Sequence, residues 1–443
     1  MLPRDFPAGR TIIIRNAVLP AMVLAAAMPP GDGPLAPADI VIADGRIAAI
    51  AAPGGSPTPQ DAAEYDCRGG LVLPAFADIH THLDKGHIWP RQPNPDGSFM
   101  GALEAVASDR GAHWSAGDVR RRMAFSLACA YAHGTAAIRT HLDSADGQHE
   151  ISWDVFDELR ERWAGRIELQ AVALVGPDIL LDDRAQALTI ARRAQASGGK
   201  LGGAIAVWPN ARQAVFNVVE LAGELGMDLD LHIDETLEVE SSALRDLADA
   251  VIETGFAGRV LAGHCCVLSV QDEATASATI ERVAGAGIAV VSLPMCNMYL
   301  QHRRNDPVPL TPRYRGVTLV NELRAAGVPV AFASDNTRDP FYAYGDLDPL
   351  EVFREAARIA HIDHPQAKAW DWLGAMTSEA AAIAGFGYNG EIAVGAPADL
   401  ILLKARNWTE LQSRPQADRF VLRGGQPIDT TPPDYRELDD LMR

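Results

Sequence analysis

The segment ADIHTHLDKGH, residues 77–87, contains three histidines, two aspartates and a lysine within eleven positions. It includes the end of the apolar run GLVLPAFADI, which predicts a buried strand. Residues i and i+2 of an extended strand point to the same side, so His80 and His82 could bind one metal ion together. The pair could equally be an ordinary polar strand end, and other parts of the chain must distinguish the two.

Polar residues end four further apolar runs in the same way. The carboxyl ends of the strands in a barrel lie on one face, where active sites form, so we expect these residues to lie close together. Three imidazoles and one carboxylate suit Zn²⁺ or Fe²⁺ and leave a position for water. The pattern therefore favours a metal site over isolated polar strand ends. The residues are His141 and Asp143, then His232, Asp234 and Glu235, then His264, and finally Asp335 with Asn336.

The middle of the chain alternates between apolar runs and helical stretches rich in Ala, Glu and Arg. Eight such runs, most opened by glycine and closed by a polar residue, predict an α/β fold with a (β/α)8 TIM-like barrel. A doubly wound open sheet is the alternative, but it normally has fewer strands and an early glycine-rich phosphate turn. The GxGxxG pattern at 385–390, GFGYNG, follows an Ala-rich helical stretch, so we interpret it as a turn. The eight runs are GLVLPAFADIHTH, GTAAIRTHLD, RIELQAVALVG, GKLGGAIAVW, GMDLDLHIDE, GRVLAGHC, GIAVVSLP and GVPVAFASDN.

Both ends of the chain contain short strand-like segments separated by turns. The N-terminal ones are TIIIRNA, ADIVIADGRIAAI and EYDCRGGLVLP, and ADGR is typical of a hairpin turn. The C-terminal ones are GEIAVGAPADLILLKA and RFVLRGGQPI. We predict a small β-sandwich formed from the N- and C-terminal segments, residues 1–73 and 386–443. In the sequence these segments flank a barrel of residues 74–385.

Charge and cysteine content narrow the class of protein. The net charge of -19 over 443 residues argues against nucleic-acid binding, which needs basic surfaces. Five cysteines without a CxxC pair predict reduced thiols and a cytoplasmic protein. The apolar segment at 17–30 is too short to span a membrane and contains a proline, so no membrane association is expected. We expect a homo-oligomer that acts on a small molecule.

The number of metal ions depends on the fourth barrel strand. A lysine at its carboxyl end would allow a carbamate to bridge two ions. The run ends in AIAVW, and its only lysine, Lys200, lies at the opposite end. We therefore expect one divalent transition-metal ion per chain, Zn²⁺ or Fe²⁺.

From about residue 12 to 425 the chain resembles the amidohydrolase superfamily, and within it the cytosine deaminase-like group. The resemblance is carried by the motifs HxH, HxDE, H and D in this order, together with the terminal sandwich. It implies four metal ligands, a proton shuttle, and a histidine that helps to activate water and holds the tetrahedral oxygen. These are His80, His82, His232 and Asp335 as ligands, Glu235 as the shuttle, and His264 as the histidine.

The substrate-contacting positions depart from that group. Asn336 replaces its aspartate, and Gly176 stands where its substrate-binding glutamine is expected. Phe341 aligns with an aromatic residue that packs on the substrate, and residues 297–303 match a loop that shapes the pocket. Lys85 could reach a carbonyl or anionic edge of the substrate or simply form an ion pair.

The resemblance implies a metal-dependent hydrolytic deaminase of a small N-heterocycle, such as a cytosine-like pyrimidine, an aminotriazine or a creatinine-like ring. Alternatives are removal of an alkylamine from an N-substituted triazine, opening of a cyclic amide, and a non-catalytic barrel. Because Gly176 and Asn336 are changed, we predict that cytosine is not the best substrate.

Overall fold

The computed structural model of the chain describes residues 6, 11–26, 33–55, 62–303 and 308–443. Its strands are β1 (Thr11–Pro20), β2 (Leu35–Ala43), β3 (Arg46–Ala51), β4 (Ala63–Asp66), β5 (Val72–Pro74), β6 (Phe76–Thr81), β7 (Thr135–Asp143), β8 (Glu168–Val175), β9 (Lys200–Ile205), β10 (Leu229–Ile233), β11 (Val260–His264), β12 (Ala289–Ser292), β13 (Val330–Phe332), β14 (Leu400–Leu402), β15 (Phe420–Arg423) and β16 (Gln426–Pro427).

The α-helices within these ranges are α1 (Phe99–His113), α2 (Ala116–His133), α3 (Gln148–Trp163), α4 (Pro177–Asp182), α5 (Arg184–Ala196), α6 (Ala211–Leu225), α7 (Ala243–Thr254), α8 (Glu273–Ala286), α9 (Pro294–Leu300), α10 (Val320–Ala325), α11 (Pro349–Ala360), α12 (Ser378–Ala384) and α13 (Trp408–Ser413). Four 3-10 helices cover Ala21–Val23, Cys266–Ser269, Ala369–Met376 and Tyr435–Leu438.

The strands β6 to β13 form one eight-stranded sheet in sequence order. Each of the eight predicted apolar runs contains one of them. The pairs from β8 to β13 are parallel, and a parallel bridge between Thr81 and Asp335 joins the first strand to the segment after the last. The predicted (β/α)8 barrel is therefore confirmed.

The barrel strands and helices follow from their residue patterns. β7, β10 and β11 are buried at every position, as expected for parallel strands that are covered on both faces, so even polar residues such as Asp230 lie in the interior. In α7 the buried residues Leu244, Leu247, Ala248 and Val251 recur at helical spacing. Gly255 ends that helix with a φ of 64°, a left-handed conformation that glycine adopts at little cost.

The remaining strands form two four-stranded sheets. One has the order β3-β2-β1-β4, and β2 and β3 form the predicted hairpin around the turn at 44–45. The other has the order β16-β15-β14-β5, so it pairs a strand from the N-terminal part with three from the C-terminal part. The prediction of a small β structure built from both ends of the chain is confirmed.

The chain divides into two compact units. One comprises residues 78–127, 138–347 and 434–443, and the other comprises residues up to 77, 128–137 and 348–433. The boundaries proposed from the sequence, at 73/74 and 385/386, stay a prediction, as do the cytoplasmic location and the homo-oligomeric state.

The segment at 17–30 and the cysteines can be placed in this fold. Residues 17–26 belong to β1, the first 3-10 helix and a short bridge, while residues 27–30 lie outside the described ranges. Among the described residues, no helix has the length and apolar character needed to cross a membrane. All five cysteines are free thiols, as expected.

Candidate active site

Three histidines and one aspartate converge at the carboxyl ends of the barrel strands. His80 lies in β6 and His82 directly after it, His232 lies in β10, and Asp335 follows β13. The Nε2 atom of His232 is 3.2 Å from that of His80 and 3.0 Å from that of His82. Oδ1 of Asp335 is 3.7 Å and 3.3 Å from the same two Nε2 atoms of His80 and His82. These four residues form a group that could hold a metal ion.

The electrostatics of this group fit a cation. Burial and the neighbouring histidines lower the pKa of the three imidazoles well below the usual value, and Lys85 contributes for His80 and His82, so the three rings are neutral ligands. Burial also raises the pKa of Asp335 to about 7. Both of its carboxylate oxygens lack a hydrogen-bond partner among the described residues. A divalent ion could be bound by all four side chains and would keep the Asp335 carboxylate ionised, so these residues fit one transition-metal ion.

The backbone at these strand ends adopts a conformation that is uncommon for residues other than glycine. Asp234, His264 and Asp335 have φ values of 51°, 70° and 63°. Such left-handed residues are concentrated at functional sites, where the surrounding structure holds them in place. For Asp335 that support includes its own amide, which donates to the carbonyl of His80 at 2.9 Å.

Asp234 fixes the segment that bears Glu235. Its carboxylate accepts hydrogen bonds from the amides of Ala243 (3.1 Å) and Leu244 (2.9 Å) at the start of α7, and from the hydroxyl of Ser241. The Glu235 side chain beside it is only 8% exposed. Burial, with the nearby Asp335 carboxylate, raises the pKa of Glu235 well above its usual value. This shift favours the protonated carboxyl, which is the form that can donate a proton.

His264 lies between Glu235 and α9. Its Nδ1 atom is 3.4 Å from Oε1 of Glu235 and 3.0 Å from the Nδ2 atom of Asn297. Burial lowers the pKa of His264 to about 3, so the ring is neutral. Its Nε2 atom is buried and has no partner among the described residues.

A cavity of about 970 Å³ opens on this group. His232 and Glu235 line it, and so do three of the residues predicted to contact substrate: Lys85, Gly176 and Phe341. Most of the remaining wall is apolar and comes from α1, from the end of β8 with α4, and from the segment after β9. These residues include Phe99, Leu103, Val106, Leu174, Leu181, Ile205, Val207 and Trp208.

Asn336, the fourth predicted contact, is not among the residues that line this cavity. Its Nδ2 atom donates to Asp339 at 2.8 Å, and its Oδ1 atom accepts from the thiol of Cys296 at 3.4 Å. Asp339 in turn accepts from the amides of Phe341 and Tyr342. The Asn336 amide thus holds the loop that presents Phe341, and its role as a direct substrate contact stays a prediction.

Lys85 is a buried cation on the cavity wall. Its Nζ atom is 3.6 Å from Asp143 and 4.8 Å from the centre of the Phe341 ring. Although burial lowers the pKa of Lys85, Asp143 and other nearby carboxylates more than offset this and raise it. Arg110 of α1 also pairs with Asp143, at 3.1 Å. No motif in the sequence indicated Arg110, because its position depends on how α1 packs.

A second buried group, formed by His80, His141 and Asp230, lies beside the first. Asp230 is held by Arg139 at 2.8 Å and lies 3.4 Å from Nε2 of His141. The arginine already neutralises this carboxylate, so we interpret the group as support for His80 rather than a second metal site. Lys200 begins β9, at the end of the strand opposite to the metal group, and pairs with Asp228 at 3.3 Å.

The fold and this group together define an enzyme of the barrel type with a metal-binding group at the carboxyl ends of its strands. Comparison with known proteins agrees. The amidohydrolase family matches residues 127–429. A pterin deaminase from Rhizobium rhizogenes is 55% identical over 438 residues, which are 98% of both chains. The chain therefore belongs to the amidohydrolase family, and the family and enzyme class predicted from the motifs are confirmed.

More distant relatives share the fold over nearly the whole chain. The N-isopropylammelide isopropyl amidohydrolase of Pseudomonas sp. (strain ADP) is 26% identical and covers 82% of this chain and 87% of its own. The structure of 5-methylcytosine deaminase from Klebsiella pneumoniae has a TM-score of 0.78 at 26% identity, covering 94% and 97% of the two chains.

Proposed function

We propose that this protein is a metal-dependent hydrolytic deaminase whose substrate is a pterin, a fused bicyclic ring bearing an exocyclic amine. The observation that carries the proposal is that His232 and Glu235 share one large, mostly apolar cavity. Its volume of about 970 Å³ is at the upper end of the roughly 300–1,000 Å³ typical of ligand sites. The single rings considered from the sequence need less room than a bicyclic ring, and the relative with 55% identity is a pterin deaminase.

The four ligands proposed for the metal are His80, His82, His232 and Asp335. A divalent ion bound there lowers the pKa of water toward about 7 and so provides a nucleophile at neutral pH. The ligand set suits Zn²⁺ or Fe²⁺.

Glu235 is the proton shuttle in this proposal. Its protonated carboxyl can donate to the ring nitrogen beside the amine-bearing carbon, which makes that carbon more electrophilic. Once water adds, the carboxylate can accept one of the two water protons and pass it to the departing amine. The ring then gains a carbonyl oxygen, and ammonia leaves.

His264 and Asp335 complete the catalytic set. Because Nδ1 of His264 faces the Asn297 amide, its Nε2–H is free to donate to the oxygen that develops on the attacked carbon. Of the two roles implied by the resemblance, this geometry supports holding the oxygen rather than accepting a proton. Asp335 is then the remaining group that can accept the other proton of the attacking water, and this proton must return to Glu235 before the next turnover.

The test is an assay of the purified metal-loaded protein with pterin, cytosine, 5-methylcytosine and N-isopropylammelide. Ammonia release with the highest kcat/KM for pterin supports the proposal. Isopropylamine as the main product would favour the alternative reaction, and no turnover of any compound by protein with a full metal site would contradict both.

A further inference from the structure

The short helix α9 contacts three separate parts of the site. The thiol of Cys296 donates a hydrogen bond to Oδ1 of Asn336 at 3.4 Å. The next residue, Asn297, approaches His264 at 3.0 Å. Gln301, directly after the helix, donates its side-chain amide to the backbone carbonyl of Glu235 at 3.3 Å. One helix end therefore connects the last residue of β11 with the segments that follow β10 and β13.

The contact between Asn297 and His264 fixes where the imidazole proton resides. The Nδ2 atom of an asparagine only donates, so Nδ1 of the neutral His264 ring must accept. The ring proton is then on Nε2. Both residues are buried, so water cannot easily take over the role of the asparagine.

The same helix end also fixes Glu235 from its backbone side. Gln301 is 7% exposed and lines the cavity. It fits there because Gly316 faces it: a Cβ at Gly316 would lie 2.4 Å from Cγ of Gln301, and the φ of this glycine is 68°. Asn297 and Gln301 are four residues apart, and the amide of Gln301 donates to the carbonyl of Asn297 at 2.8 Å. The two side chains thus act from one rigid turn.

We propose that Asn297 is a positioning residue for the deamination, because it holds His264 as the tautomer with the proton on Nε2. Gln301 meanwhile holds the backbone of Glu235 in place beside His264. This inference rests on the proposed function, because it assigns His264 and Glu235 to one reaction. Its structural part, the tautomer, can be measured without any substrate.

The first measurement uses the wild-type protein. Histidine is labelled with ¹⁵N in the zinc-loaded chain, and the His264 signals are identified by their loss in His264→Gln. Long-range proton–nitrogen correlations then report which ring nitrogen carries the proton. We expect Nε2–H, and Nδ1–H in the wild-type protein would overturn the proposal. Because no Asn297 variant needs to fold, this result decides the tautomer by itself.

The second measurement uses two substitutions of similar size. Asn297→Leu removes the donor and should lower kcat by about tenfold or more, with KM changed little. Asn297→Asp offers only acceptors, so it should shift the ring proton to Nδ1 and lower kcat by roughly 10²–10³, the range seen when a donor to a developing oxygen is lost. Asn389→Leu, at an exposed asparagine outside the site, is the matched control and should retain wild-type kcat.

The outcomes separate the two levels of the argument. Asn297→Leu with a kcat within about twofold of Asn389→Leu, in a variant that retains its metal, would refute the positioning role. Nε2–H in a wild-type protein that deaminates no compound would support the tautomer assignment and would refute the proposed function instead.

Discussion

The backbone amide of Asp335 donates to the carbonyl oxygen of His80 at 2.9 Å, so the contact that closes the barrel also joins two of the proposed metal ligands. His80 and Asp335 are 255 positions apart in the chain, and the metal group can form only when the first strand meets the segment after the last. Metal binding and barrel closure should therefore depend on each other.

Removal of a ligand should empty the metal site. We expect close to one transition-metal ion per purified chain and close to none in His232→Ala, because three remaining ligands from a buried site bind far more weakly than four. Metal content by mass spectrometry checks this, and His113→Ala is the control, since His113 is exposed at the end of α1. Two tightly bound ions in the wild-type chain would contradict the single-ion assignment.

Glu235→Gln should separate metal binding from proton transfer. The substitution keeps size and hydrogen-bonding capacity but removes the acid, so turnover should fall by about 10²–10⁴ while metal content stays unchanged. Glu240→Gln, at an exposed position in the same loop, is the matched control. A Glu235→Gln enzyme with near-normal turnover would reduce this residue to a structural role.

The space at Gly176 should matter more for a bicyclic substrate than for a single ring. Gly176 lines the cavity, and a Cβ there would lie 2.4 Å from Oδ1 of Asp178. We expect Gly176→Ala to lower kcat/KM for pterin more than for cytosine. Gly111→Ala, at an exposed helical position with open space around it, should change neither value.

In the wild-type enzyme, cytosine should be the poorer substrate. Gly176 offers no side-chain amide to its ring, and a substrate polar group left unpaired costs about 1–3 kcal/mol, or roughly 10–10² in kcat/KM. Because the Asn336 amide is already engaged by Asp339 and Cys296, we count only this one loss. If cytosine outruns pterin, our interpretation of position 176 is wrong.

Stability should depend on the ion pair between Asp348 and Arg419. Arg419 Nη1 is 2.6 Å from Asp348 Oδ1, and both side chains are mostly buried. Although burial raises the pKa of Asp348, Arg419 more than offsets this and lowers it below its usual value. The pair therefore stabilises the fold fully above the unfolded-state pKa, and the effect is lost as the pH falls through the lower folded-state pKa.

Asp348→Asn should accordingly cost about 3–5 kcal/mol near pH 7, because it leaves Arg419 charged without its partner, and less in acid. Urea unfolding followed by the fluorescence of Trp370 and Trp372, which are buried in the same unit, measures this. Glu355→Gln is the control, because it breaks the ion pair of Glu355 with Arg358, whose side chains are both partly exposed. It should lower the free energy of unfolding by less than about 1 kcal/mol. A cost for Asp348→Asn no larger than that of Glu355→Gln would contradict the prediction.

The sequence by itself determined the barrel, and its local patterns together with the family resemblance predicted which residues form the metal group. Parallel strands buried on both faces are apolar over most of their length, so all eight could be recognised as near-continuous runs. The alternation of a strand places His80 and His82 on one side, and a polar residue at a strand end marks the functional face. These are local rules, which is why no tertiary information was needed.

Only the tertiary structure decided how the surrounding residues are used. It directs the Asn336 amide to Asp339 and Cys296 rather than into the cavity, and it brings Asn297 to His264 and Arg110 to Asp143. Each contact joins residues from different elements or depends on the path of a loop. No periodicity in the chain encodes such contacts, because they arise from the packing of segments that are remote in sequence.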